Sequence, residues 1–163
     1  MKKRYLFKAK RIDNGEWVQG NLIQSCDATD GWETIIIPIK NSNMFTKHIK
    51  RCYGNLGFEN WYRVDPSTIC QCTGLKDENG NLIWENDIIH KPFYTDYDAY
   101  ANSEAYTGRI QYEDGGWSVE ITKSDGRVCI SPIIDMIAYS KDVEHFEIIG
   151  NIFDNPELLE SEG

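Results

Sequence analysis

The chain has 163 residues, of which 40% are hydrophobic and 26% charged, with 17 Lys and Arg against 26 Asp and Glu. That length suits one domain or two small ones, and five Trp, nine Tyr and six Phe suffice for a packed core. The composition excludes a mainly disordered chain, and no apolar run approaches the ~20 residues of a membrane helix or forms a signal peptide, so a cytoplasmic protein is expected.

Short alternating runs broken by Gly, Asn and Asp dominate the chain. Tyr5, Phe7 and Ala9 alternate with Leu6, Lys8 and Lys10, the pattern of a half-buried strand. Asp13-Asn14-Gly15 marks a turn and Trp17 to Ile23 the partner strand, so residues 5–23 are predicted to form a hairpin. After a turn at Asp27 to Gly31, Thr34 to Ile39 is a β-branched strand whose Pro38 points to a sheet edge. Phe45, His48, Ile49 and Cys52 are spaced to line one face of a short helix, which Gly54 and Gly57 would end.

Asp65-Pro66-Ser67-Thr68 reads as a turn, because Pro fixes φ and the Asp side chain can accept from local backbone; Ile69 to Thr73 follows as a strand. Asp77-Glu78-Asn79-Gly80-Asn81 is the strongest turn signal, with Asn-Gly offering the two positive-φ positions of a type I′ hairpin turn. Leu82 to Trp84 and Ile88-Ile89 are strands around Glu85-Asn86-Asp87. Residues 92–106 interleave acids with Tyr94, Tyr97, Tyr100 and Tyr106 without a period, as in a long exposed loop or ribbon. Gly108 to Glu113, Trp117 to Thr122 and Arg127 to Ile130 are strands, parted by turns at Gly115-Gly116 and Asp125-Gly126. Ile133 to Tyr139 fits a strand or a short helix, and Phe146 to Ile149 a last strand. The tail DNPELLE reads as a short helix with Asp154 or Asn155 as its cap and Pro156 in its first position. Eight to ten strands with turns between them predict a mainly β chain built as small barrels or sandwiches, divided near Val64-Asp65-Pro66 into residues 1–63 and 64–163.

Charge divides at the same place. Residues 1–63 hold 11 Lys and Arg against 6 Asp and Glu, a net of +5; residues 64–163 hold 6 against 20, a net of −14. Halves of opposite sign attract each other, within one chain or head to tail in a homo-oligomer, and this needs no ligand. The cysteines at 26, 52, 70, 72 and 129 are odd in number and irregular in spacing, as expected of free thiols in a reducing compartment. His48, Cys52, Cys70 and Cys72 could in principle supply zinc donors, but no paired C-x-x-C accompanies them, so no metal is expected. Phosphate-loop, dinucleotide, nucleophile-elbow and zinc-protease motifs have no match, and the DENGN turn has its Gly too early for a calcium loop, so no cofactor is expected either.

Three stretches carry a family likeness. YLFKAKRIDNGEWVQGNL (Tyr5 to Leu22), VDPSTICQCTGLKDENGNLIWENDIIHK (Val64 to Lys91) and FEIIGNIFDNPELL (Phe146 to Leu159) together resemble the signatures of YopX-like phage and prophage proteins, in the family's order. The family pattern has Glu-Gly-Asp where this chain has Glu85-Asn86-Asp87; Asn tolerates positive φ, so the turn can survive. The acidic-aromatic stretch 92–106 is longer than the family's. The resemblance implies an N-terminal β subdomain and a small SH3-like C-terminal β-barrel, and it carries no catalytic residue across. Gly74, Gly80, Gly150, Glu85 and Asp87 fit structural roles in turns and close backbone approaches.

These readings point to a phage or prophage accessory protein that is not an enzyme, binds protein and self-associates, with an unknown host or phage protein as its other partner and no role at a membrane. Tyr94, Tyr97, Tyr100 and Tyr106 are its candidate interface residues, since tyrosines anchor interfaces. The alternative is nucleic-acid binding through Lys2, Lys3, Arg4, Lys8, Lys10 and Arg11, interleaved with Tyr5 and Phe7. A pI near 4.8 argues against a dedicated DNA binder. A third reading has the acidic half mimic the phosphates of DNA before a host DNA-binding protein.

Overall fold

A computed structural model describes residues 5–27, 31–39, 44–47, 55–92, 105–122, 127–136 and 145–160. The chain divides into two compact units, Met1–Gln71 and Cys72–Gly163. Residues just beyond the sequence-read division at Val64 hydrogen-bond within the first unit. The Val64 N–H donates to the Thr34 carbonyl (3.1 Å), and the Asp65 N–H to the Lys10 carbonyl (2.8 Å).

The first unit is built on strands β1 (Phe7–Lys10), β2 (Trp17–Asp27), β3 (Gly31–Pro38), β4 (Met44–Lys47), β5 (Asn55–Phe58) and β6 (Tyr62–Arg63). Its main sheet is antiparallel in the order β6-β3-β2-β1, and the Cys70 and Gln71 end of β7 (Cys70–Lys76) pairs with β1. The predicted hairpin forms, with Phe7 opposite Gly20 and Lys10 opposite Trp17. Its alternation turns Ala9 into a core shared with Ile36 and Val64, flanked by Phe7, Val18, Leu22 and Ile69. Strand β6 pairs only with Ile35 and Ile36, and Pro38, which has no N–H to give a ladder, lies beyond them.

The helix expected around Phe45 is not observed. Met44–Lys47 and Asn55–Phe58 form an antiparallel ribbon, with Phe45 opposite Gly57. Pairing with a distant stretch of chain outweighs the four-residue apolar spacing there. His48, Ile49 and Cys52 lie outside the described residues. The Asp65-Pro66 turn is a 3-10 helix over Pro66–Thr68, in which the Asp65 Oδ1 accepts from the Ser67 N–H (2.9 Å) and hydroxyl (2.7 Å).

In the second unit the remainder of β7 pairs with β8 (Leu82–Trp84). A five-stranded antiparallel sheet follows, built from β9 (Asp87–Lys91), β10 (Tyr106–Glu113), β11 (Gly116–Thr122), β12 (Val128–Pro132) and β13 (Glu147–Asn151) in the order β12-β11-β10-β9-β13. Among the described residues the sheet does not close into a barrel. Ile110 faces Val119 across β10 and β11, and both are fully buried with Ile83, Ile89 and Phe146. Ile133, the start of the segment read as strand or helix, opens a single helical turn, α1 (Ile133–Asp135), and is buried in the same core.

Two turns depart from expectation. In Asp77-Glu78-Asn79-Gly80-Asn81 only Gly80 has positive φ (82°), so the turn is not type I′. The buried Asp77 carboxylate organises it, with Oδ1 accepting from the Asn81 N–H (2.7 Å) and Oδ2 from the Asn81 side-chain amide (3.0 Å). The I′ signature falls on Asp114-Gly115 instead, with φ of 51° and 82°, between the paired residues Glu113 and Gly116. The tail helix is a 3-10 turn over Pro156–Leu159, and Asn155 at its N-cap position makes no side-chain capping bond. The Asp154 carboxylate accepts instead from the Asn151 side chain (2.9 Å). Asn151 Oδ1 takes the Phe153 and Asp154 N–H groups.

Candidate functional site

An open cleft of about 440 Å³ lies in the second unit. The I′ turn brings Glu113 and Asp114 to one side of it, β11 supplies Trp117 and Ser118, and the end of β12 with α1 supplies Ile130, Pro132, Ile133 and Ile134. Leu75 and Thr73 line it from β7, whose bulge at Gly74 is held by the Thr73 hydroxyl. That hydroxyl donates to the Ile83 carbonyl (2.8 Å) and accepts from the Leu75 N–H (3.1 Å). The Trp117 ring is fixed by an edge-to-face contact with Tyr112, 5.0 Å between centroids. Ile130 and Ile134 are exposed, at 48% and 68%. Ser118 is 4% exposed, and its Oγ is the one buried side-chain N or O among the described residues with no hydrogen-bond partner. An apolar cleft with one unpaired hydroxyl and carboxylates at its mouth can hold a ligand that is apolar in part and polar at one end.

The sequence reading did not single out these residues. In the sequence Glu113 only ends the strand from Gly108, Asp114 precedes the glycine turn, and Ile133 and Ile134 belong to an apolar run. The available signal was Asp-Gly before a Trp strand, which fixes a hairpin but not what packs beside it.

Of the candidate interface tyrosines, Tyr94, Tyr97 and Tyr100 lie outside the described residues. Tyr106 begins β10 half-buried, edge-on to Phe146 at 6.4 Å and with the Lys91 ammonium 5.7 Å from its ring centre. Its hydroxyl donates to the Met136 sulfur (3.9 Å), so the ring packs against the second core. Of the basic residues, Lys2, Lys3 and Arg4 lie outside the described residues, while Lys8 and Lys10 share one aromatic ring and Arg11 lies against another. The Lys8 and Lys10 ammonium groups lie 5.1 and 5.5 Å from the Trp17 ring centre, and the Arg11 guanidinium lies 4.1 Å from that of Tyr62. Arg11 is bound to Asp13 and lies 3.7 Å from Glu16. The Asp13 hydrogen bond raises the Arg11 pKa above its usual value, and Arg11 in turn holds the Asp13 carboxyl below its own. Arg11 is therefore already engaged by two acidic side chains. Cys70 and Cys72 are buried and Cys129 is exposed, and none of the three is in a disulfide. No three His, Cys, Asp or Glu among the described residues converge as metal donors.

The Glu85-Asn86-Asp87 turn is structural. Asn86 has φ of 66° and is buried, and its Oδ1 accepts from Arg109 Nε (3.0 Å) and a terminal guanidinium nitrogen (2.7 Å). Its N–H donates to the Ile110 carbonyl, and its carbonyl accepts from the Ile152 N–H. Asp87 is buried with Oδ2 accepting from the Trp84 N–H (2.8 Å). The turn thus ties β8, β10 and the chain after β13 to one point.

A family model described as YopX protein matches residues 6–160. The chain belongs to the YopX family. The YopX match spans the basic cluster, the Glu-Asn-Asp turn and the cleft alike. The crystal structure of protein EF1440 from Enterococcus faecalis has a similar fold, with a TM-score of 0.55 and 24% identity over 94% of this chain and 96% of that one. A comparison with curated proteins finds no match. No helix among the described residues is long and apolar enough to cross a membrane.

Proposed function

We propose that this YopX protein is a phage-associated accessory factor that works by binding protein rather than by catalysis, in the cytoplasm of the bacterial host. The observation that carries the reading is the cleft beside the Glu113–Gly116 turn, with its exposed Ile130 and Ile134 and its unpaired buried Ser118 hydroxyl. Family membership supports the phage association. The strand order β12-β11-β10-β9-β13, a meander extended at β9 by a returning strand with a bulge between Ile148 and Gly150, supports an SH3-like barrel for the second unit. Self-association is part of the proposal and rests on the opposite charges of the two ends of the sequence.

The test is affinity capture from host lysate with wild-type protein and an Ile134→Glu variant, whose substitution falls on an exposed side chain. A stoichiometric protein retained by the wild type and lost from the variant is expected. Light scattering at low and high salt tests self-association, and an assembly that dissociates as salt rises is expected. Nucleic acid recovered in place of protein would overturn the reading. It would favour the alternative, supported by Lys8 and Lys10 gathered over Trp17, in which the first unit holds single strands.

A further inference from the structure

We propose that the ligand of this cleft is an extended segment of a partner protein carrying an Arg or Lys between apolar residues, the cation seated between Glu113 and Asp114. The inference rests on the cleft being the binding surface and adds the chemistry of what it takes. The lining contains two carboxylates and no Lys or Arg. Neither carboxylate is ion-paired within the described residues; Glu113 Oε2 only accepts from the Gln111 side-chain amide (2.9 Å). An acidic ligand would meet uncompensated repulsion there, and a cation would find both partners ready.

A bare ion does not fit the rest of the lining. Trp117, Leu75 and Ile134 offer apolar surface to a methylene stem, and an indole beside a cation adds attraction. Ser118 also lines the cleft, and its buried hydroxyl has no hydrogen-bond partner among the described residues. The neighbouring strand β12 is outermost in its sheet among the described strands, with Val128 57% and Ile130 48% exposed, so a segment lying along it keeps its apolar side chains covered.

The experiment follows backbone amide signals of the full-length 15N-labelled chain as capped peptides are added. The probes are Gly-Leu-Arg-Leu-Ser-Gly and its counterparts with Gln or Glu in place of Arg. The Arg peptide is expected to shift amides in Gly115–Ser118 and Ile130–Ile134, and to bind about tenfold tighter than the Glu peptide, with the margin shrinking as salt rises. The double substitution Glu113→Gln, Asp114→Asn keeps the turn, because Asn accepts positive φ, and is expected to erase that margin. Ser118→Ala breaks no internal hydrogen bond and is expected to weaken the Arg peptide about threefold with the fold intact.

Equal binding of the Arg, Gln and Glu peptides at the cleft would overturn the cation inference while leaving the cleft as the binding surface. No shift at the cleft with any peptide would overturn both. Cleft signals that move with protein concentration before any peptide is added would identify a second copy of this chain as the occupant and overturn the inference of a foreign partner.

Discussion

At Asn86 one residue does two jobs that usually need two. Its backbone takes the left-handed conformation that glycine takes most easily, and its side-chain oxygen receives two hydrogen bonds from Arg109. Asn86→Gly keeps the backbone and loses those bonds, and it is expected to lower unfolding free energy by about 1–2 kcal/mol. Asn86→Ala loses the bonds and adds the left-handed penalty, a further ~1 kcal/mol, so urea midpoints should fall in the order Asn86, Gly, Ala. The tolerance of Asn for the turn was legible in the sequence. Its partner was not, because Arg109 lies 23 residues away and meets it only after β10 has paired with β9. Asp65 carries a separate expectation. The Ser67 hydroxyl and N–H hold its carboxyl below the ordinary value of 3.8. On acidification the unfolded chain therefore takes up its proton first, so the stabilisation is whole above about pH 4 and fades as the pH falls through the folded value. The stability gap between wild type and Asp65→Asn, from urea unfolding at a series of pH values, should narrow below that point.

Among the elements, hairpins followed local chemistry while their turn types followed their surroundings. Both Asn79-Gly80 and Asp114-Gly115 suit a type I′ turn, and only the second forms one, because the buried Asp77 carboxylate draws the first into a longer loop. Gly115→Ala places a side chain at φ of 82° and is expected to cost about 1–2 kcal/mol and to loosen the Glu113 and Asp114 end of the cleft, read as broadened amide signals there. Gly150 is held by proximity instead. A methyl group there would stand 2.6 Å from Asn155 Oδ1 and 2.9 Å from a Leu158 methyl. Gly150→Ala is expected to cost about 1–3 kcal/mol, with hydrogen exchange rising first in residues 151–160. The sequence places Gly150 among glycines suited to turns or close backbone approaches, and the structure brings the Asn155 and Leu158 side chains against it. The 44–58 region shows the reverse. Its apolar spacing suits a helix, but a ribbon pairs Met44 with Phe58, a contact that spacing within either segment cannot encode.

Across the whole molecule, the two described cores share no residue, one gathered on Ala9, Ile36 and Val64 and the other on Ile83, Ile110, Val119 and Phe146. Ile36→Ala and Phe146→Ala are each expected to cost about 2–5 kcal/mol, and hydrogen exchange should show protection falling first within the unit that holds the substitution. Loss of protection in both units to the same extent from either substitution would refute independent cores. By itself the sequence determined the strand-rich class, the first hairpin, the Asp65-Pro66 turn, the family and the tolerance of Asn86 for its turn, because each rests on alternation, motif or turn chemistry read along the chain. Tertiary structure decided which strands became neighbours, which glycine turn was type I′, that Arg109 completes the Asn86 turn, and that Thr73, Glu113, Trp117, Ser118 and Ile134 line one cleft. Those outcomes depend on pairing between stretches far apart in the chain, and side chains separated by 60 residues have no shared local signal until the sheet brings them together.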